Sequence, residues 1–198
     1  MYSLQTSVVM GDNEFHITND GDFRMILDCF SAINDEELSE DFRVLASLII
    51  FYEDINSIED IAELDKETAT QLTLEMFRFF NGGKDESEGA VTSQPTINWE
   101  QDEQIICAAV NNVAHTEIRS LGYLHWWTFL GYYMSVGESV LSTVVSIRNK
   151  MNKGKSLDKW EKEFKNENPK YFKWKPIDIE VERFEKELRE LWNQGGEK

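Results

Sequence analysis

The residues of this chain that could do chemistry are three histidines, two cysteines and a surplus of carboxylates, 37 Asp and Glu against 20 Lys and Arg. His16, His115 and His125 are too far apart to set two imidazoles on one helical face at i and i+4, the usual way a helix holds a metal. His125 stands beside two tryptophans and reads as a buried, hydrogen-bonded core histidine. Cys29 and Cys107 form no CxxC pair. Two isolated thiols and the absence of a signal-peptide pattern in "MYSLQTSVVMGDNEF" suit a reducing cytoplasm, with a Cys29–Cys107 disulfide as the minor alternative. Carboxylates are abundant, but a general acid and base pair is defined by geometry, which abundance does not supply.

Two short stretches imitate catalytic motifs. "NKGKS", ending at Ser156, has the close of a phosphate-binding loop, but that pattern needs a glycine five residues before Gly154, where Asn149 stands. "GESVL" shares only Gly137 and Ser139 with a nucleophile elbow, because Leu141 replaces the second glycine. No enzyme, cofactor or metal site is expected.

From Arg148 to Lys175 there are 10 Lys and Arg against 4 Asp and Glu, interleaved with Trp160, Phe164, Tyr171, Phe172 and Trp174. Phosphate contacts and base stacking on such a segment could hold single-stranded nucleic acid. The favoured reading is an amphipathic helix with Leu157, Trp160 and Phe164 inward and the lysines outward. The segment could also meet the acidic half of the same or a neighbouring chain.

Elements must position all of these residues. Leu4, Thr6 and Val8 alternate with polar neighbours, Gly11-Asp12-Asn13 supplies a turn, and Phe15 and Ile17 alternate again, which predicts a hairpin. Asp22 is placed to cap a helix carrying Phe23, Ile26, Leu27 and Phe30. Asp35 is placed to cap the next, in which Leu38, Phe42, Leu45, Ile49 and Tyr52 recur at helical spacing. A second apolar set, Val44, Leu48 and Phe51, puts that helix at the centre of the fold. Ser57 to Asp60 has the form of a capping box, and residues 67–80 predict a helix stopped by Gly82-Gly83.

Residues 82–97 are rich in Gly, Ser and charge and read as a flexible linker. They divide an acidic N-terminal region, 1–81, from an aromatic and lysine-rich helical region, 98–198. Residues 1–100 hold 22 Asp and Glu against 5 Lys and Arg, whereas residues 101–198 hold 15 of each, so the net charge of -17 lies entirely in the first half. An acidic half repels nucleic acid and anionic lipid and favours basic protein partners. Beyond the linker, Asn98 with Gln101 is placed to cap a helix through Ile106, Ala109, Val110 and Val113. Pro176 precedes a final amphipathic helix with Val181, Phe184, Leu188 and Leu191. The expected fold is mainly α, helical and bundle-like, with a small N-terminal β-hairpin.

Residues 120–137 carry no charge over eighteen positions. A membrane span of that length would be apolar all round, with Trp and Tyr at its ends. Here Thr128, Gly131, Ser135, Glu138 and Ser142 form a small, polar stripe and the tryptophans lie mid-stretch, so no membrane contact is expected. The opposite face, Tyr123, Trp126, Trp127, Leu130, Tyr133 and Met134, continuing to Leu141, Val144 and Val145, is either core or a protein-binding surface. Gly137 is where one helix could end and another begin. Tyr123, Trp126, Trp127, Leu130, Tyr133 and Met134 are the candidate protein-binding residues, with core the leading role for Trp126 and Trp127 taken singly.

"INWEQDEQIICAAV", 97–110, followed by "YLHWWTF", 123–129, resembles the small bacteriophage family called gene product fifteen, found in the tail gene cluster of long-tailed phages and prophages of low-GC Gram-positive bacteria. Trp99, Glu100, Asp102, Ala108, Ala109, Tyr123, Leu124, His125, Trp126, Trp127 and Phe129 carry the resemblance, and the hairpin, acidic helices and polar linker match its layout. From Gly137 onward only the lysine-rich helical character is shared.

The resemblance implies a product encoded just before the tape-measure protein, the place of a tail assembly chaperone that keeps the tape measure soluble and delivers it to tail-tube subunits. The expected function is therefore a non-enzymatic phage tail-assembly protein in the host cytoplasm. Its expected partners are the tape-measure protein and the tail-tube protein, with a homo-oligomer left open. The alternatives are a structural virion component, such as a connector or tail-completion subunit, and a single-stranded nucleic-acid-binding module.

Overall fold

The computed structural model describes residues 3–35, 37–84 and 96–173. Most of the expected linker, 85–95, and the expected final helix with Val181, Phe184, Leu188 and Leu191 lie outside the described residues. Among the described residues the chain is mainly helical, with one two-stranded antiparallel sheet at its start, as expected.

The hairpin pairs β1 (Ser7–Met10) with β2 (Asn13–His16) across a two-residue turn at Gly11 and Asp12. Val8 sits directly opposite Phe15, and both are buried, because residues paired across a ladder share one face. A 3-10 turn, Thr18–Gly21, leads into α1 (Phe23–Ile33), where Asp22 accepts the Arg24 amide as expected. α2 (Glu40–Phe51) packs along α1, and α4 (Lys66–Phe80) crosses α2 after the short α3 (Ile58–Glu63).

The start of α2 departs from expectation. The Asp35 carboxylate accepts the Glu37 amide in the preceding turn, and the helix begins only after Ser39. Leu38, expected on the helix, is buried from that turn instead. At α3, Ser57 Oγ accepts the Asp60 amide at 3.2 Å, but the Asp60 carboxylate reaches back one residue further than a capping box requires, to the Asn56 amide at 2.8 Å.

In the second half α5 (Glu103–Ala114) packs on α6 (Trp126–Met134) and α7 (Val140–Asn152), and α8 (Lys159–Glu167) follows. Asn98 caps the turn before α5, accepting the Gln101 amide at 2.8 Å, so the helix itself starts five residues after Asn98 rather than beside it. The uncharged run 120–137 is not one helix. Nine of its residues form α6, and α7 starts a new helix capped by Ser139. No helix among the described residues is long and apolar enough to cross a membrane.

Among the described residues, one apolar cluster draws on both sides of the expected linker. Phe51, Tyr52, Leu72, Met76 and Phe79 join Ile106, Val110, Trp126, Phe129 and Val144 in it.

Candidate functional site

The two imitations of catalytic motifs turn out to be helix ends. Ser139 Oγ accepts the Ser142 amide while Ser142 Oγ accepts the Ser139 amide, a reciprocal cap on α7. Gly154, with φ +63°, closes the same helix, and the Lys155 amide bonds the Lys150 carbonyl at 2.8 Å. The histidines are equally dispersed. His16 faces Asp54, His115 terminates α5 in a left-handed conformation, and His125 caps α6. Burial raises the Cys29 and Cys107 thiols above their usual range, which leaves neither activated as a thiolate.

The dominant feature is built around "HWW", 125–127. His125 Nδ1 accepts the Trp127 amide at 3.0 Å and Nε2 meets the Gln5 carbonyl at 3.0 Å. A ring that accepts at Nδ1 and donates at Nε2 is neutral. Burial lowers the imidazole pKa from its ordinary 6.5, against the opposing pull of the Gln5 carbonyl and the Asp20 carboxylate. The expected core histidine is therefore observed, and it also starts the helix.

Both indoles turn toward the end of α4. Trp126 Nε1 donates to the Phe80 carbonyl and Trp127 Nε1 to the Phe79 carbonyl, each at 2.9 Å. The last carbonyls of a helix lack intrahelical partners, so Trp126 satisfies a group that α4 leaves open, while the Phe79 carbonyl is shared between Trp127 and the Gly82 amide at 3.0 Å. Trp126 is 1% exposed, stacks on Phe129 and meets Phe30 and Trp99 edge-on. It belongs to the core. Trp127 is half-buried, with its six-membered ring over Gly83 and Phe79.

The other candidate residues divide accordingly. Tyr133 is half-buried beside Trp99, and Leu130 is half-buried near Gly82. Tyr123, 47% exposed, precedes α6 and donates its hydroxyl to the Asp20 carbonyl. Met134 is 70% exposed. Trp127, Leu130 and Met134 share one stripe of α6 at i, i+3 and i+7, graded from half-buried to open, and this stripe borders the glycines at which α4 stops.

A second arrangement was not foreseen. Asp102 and Arg148 form a buried, bidentate ion pair between the start of α5 and the middle of α7. Arg148 also donates to the carbonyls of Thr96 and Tyr171, and Gln101 to those of Lys170 and Lys173. One guanidinium thus ties the segment before α5, at Thr96, to the turn after α8, at Tyr171. The signal for it was an arginine on the Leu141, Val144 and Ile147 stripe of α7, where an apolar residue belongs. Asp102 entered the sequence reading only as one position of the family motif.

The basic segment also differs from expectation. Trp160, expected inward, is 55% exposed, while the neighbouring Glu161 is buried. Glu161 accepts the Asp158 amide at 2.8 Å and Lys150 Nζ at 2.7 Å, so α8 turns its carboxylate and Phe164 toward the body and Trp160 away.

The geometry is that of an aromatic, helical body with no assembled catalytic group among the described residues, and no cluster there of three or more metal-ligating side chains. Its class is given by comparison with known proteins: the family model described as Bacteriophage Gp15 protein matches residues 3–173. The chain belongs to that family, a structural and assembly family of bacteriophages not known for enzymatic activity. No curated protein and no solved structure matches the chain.

Proposed function

We propose that this phage protein is a tail-assembly chaperone that binds the helical tape-measure protein and assists assembly of the tail tube in the host cytoplasm. The observation that carries the reading is the Trp127, Leu130 and Met134 stripe, apolar and graded into solvent on a helix whose adjoining face is anchored by Trp126. An amphipathic helix is recognised by such a row, which offers apolar contact at i, i+3 and i+7. The rigid anchoring of α6 lowers the entropy cost of presenting it. The acidic N-terminal half supplies the charge that keeps a complex with an apolar partner in solution.

Met134→Glu tests the face directly. Its side chain is open to solvent, so stability should change by no more than about 0.5 kcal/mol while capture of the tape-measure protein is lost. Unchanged capture by Met134→Glu would remove this face from the proposal.

A further inference from the structure

Trp160 is a bulky aromatic that the fold holds outward at 55% exposure. Its surroundings hold a cationic excess, six Lys against three Asp and Glu over residues 150–165, although Lys150 pairs with Asp158 and Glu161 and Lys159 approaches Glu163. Lys159 and Lys162 flank it on α8, and an open groove along α7 next to the start of α8 carries Lys150, Lys153 and Lys155. The opposite charge is concentrated elsewhere on the same chain. Between Glu53 and Glu67, across α3 and the start of α4, stand seven Asp and Glu against one Lys. Glu53, Asp54, Glu59, Glu63, Asp65 and Glu67 there are exposed, and Ile58 and Leu64 between them are half-buried.

We propose that the α8 face centred on Trp160 docks onto the acidic ledge 53–67 of a second copy of this chain. The two faces are complementary in charge and each includes apolar surface, Trp160 on one side and Ile58 with Leu64 on the other. Trp is the residue type that most often anchors a protein interface, and flanking opposite charges steer encounter and register. The two faces are different patches, so the contact is heterologous and each copy can bind one neighbour at α8 and another at its ledge. Such contacts close into a ring or propagate. A single-stranded nucleic acid is the weaker match for Trp160, because the exposed carboxylates Asp158 and Glu163 interrupt the lysines there, whereas a phosphate backbone is tracked by a continuous cationic groove and a protein face can match a mixed pattern residue by residue.

Sedimentation velocity of the full chain tests this. The wild type should form species larger than a monomer at about 50 mM salt and dissociate at about 500 mM, where the Debye length falls to a few ångströms. Two charge-reversed chains sharpen the result: Lys159→Glu with Lys162→Glu, and Glu59→Lys with Glu63→Lys. All four positions are exposed, and circular dichroism checks that both variants remain folded. Each variant alone should be monomeric, since like charges then face one another, and an equimolar mixture should associate again. Trp160→Ala should weaken wild-type association at least tenfold. A wild type that stays monomeric at low salt up to hundreds of micromolar, on the order of the concentrations where weak contacts are populated, overturns the proposal. So does self-association by either reversed variant alone. Retention of an oligothymidine probe by a monomeric wild type would assign the Trp160 face to nucleic acid and equally overturn it.

Discussion

Trp126 and Phe80 are joined by a hydrogen bond of 2.9 Å that links the two halves of the sequence, the indole of α6 donating to the last carbonyl of α4. Trp127 repeats the arrangement one residue on, at Phe79. The paired tryptophans therefore add two side-chain donors to the end of a helix that begins sixty residues earlier, at Lys66, where the Gly82 and Gly83 amides already bond the Phe79 and Arg78 carbonyls. Their ring surfaces fill the core beneath it.

Replacing Trp126 by alanine should cost about 3–5 kcal/mol, the range for deleting a large buried aromatic, and leave the Phe80 carbonyl without this donor. Trp127→Ala should cost less, because its ring is only half-buried. Urea denaturation of the two variants measures the difference. Equal, small losses for both would contradict the assignment of Trp126 to the core.

The Asp102–Arg148 pair should be costly to break from one side. Arg148→Met leaves a buried carboxylate without its guanidinium and should destabilise by about 3–5 kcal/mol, whereas Asp102→Leu combined with Arg148→Met should recover part of that loss. Hydrogen exchange in the single variant should rise first around residues 169–173, which Arg148 holds through the Tyr171 carbonyl.

Gly21 tolerates no side chain. Its φ is +76°, and a Cβ there would lie 2.6 Å from Phe79 Cζ and 3.3 Å from His125 Nε2. Gly21→Ala should combine left-handed strain with a clash in the core and cost about 2–4 kcal/mol. A melting temperature equal to that of the wild type would refute this placement of the loop against α4 and α6.

His125 makes stability depend on pH in a stated direction. Its folded pKa lies below its ordinary 6.5, so on acidification the unfolded chain takes up the proton first. The contribution is fully present above pH 6.5 and declines as pH falls from there toward the lower folded value. His125→Asn retains a side-chain oxygen to cap Trp127 but cannot titrate, so its stability should show a flatter slope in that window. Chemical denaturation at stepped pH reads the slope, and an unchanged slope would place the titration elsewhere.

Much of this fold was legible locally. The hairpin alternation, the Asp22 cap and the Gly82-Gly83 stop are decided by residues within a few positions of one another, and each appears where the pattern placed it. What was not legible depends on distant partners. The carbonyls to which Trp126 and Trp127 donate lie 46 and 48 residues upstream, and Arg148 finds Asp102 46 residues upstream. The orientation of Trp160 was misread because periodicity weighs apolar residues only. Glu161, bound to Lys150 and the α8 amide end, offers a stronger local tie than the indole and sets which face turns inward. Within the candidate face, spacing identified the stripe but could not separate buried Trp126 from open Met134, because α6 stops at Met134 and packs on one side only.

Co-expression of the wild-type chain with the tape-measure protein of the same phage tests the central claim most directly. Tape-measure protein that is insoluble alone should become soluble and co-purify with this chain, and the pair should be absent as a complex from finished particles. If the tape-measure protein stays insoluble and the chain purifies without it, the chaperone assignment is contradicted.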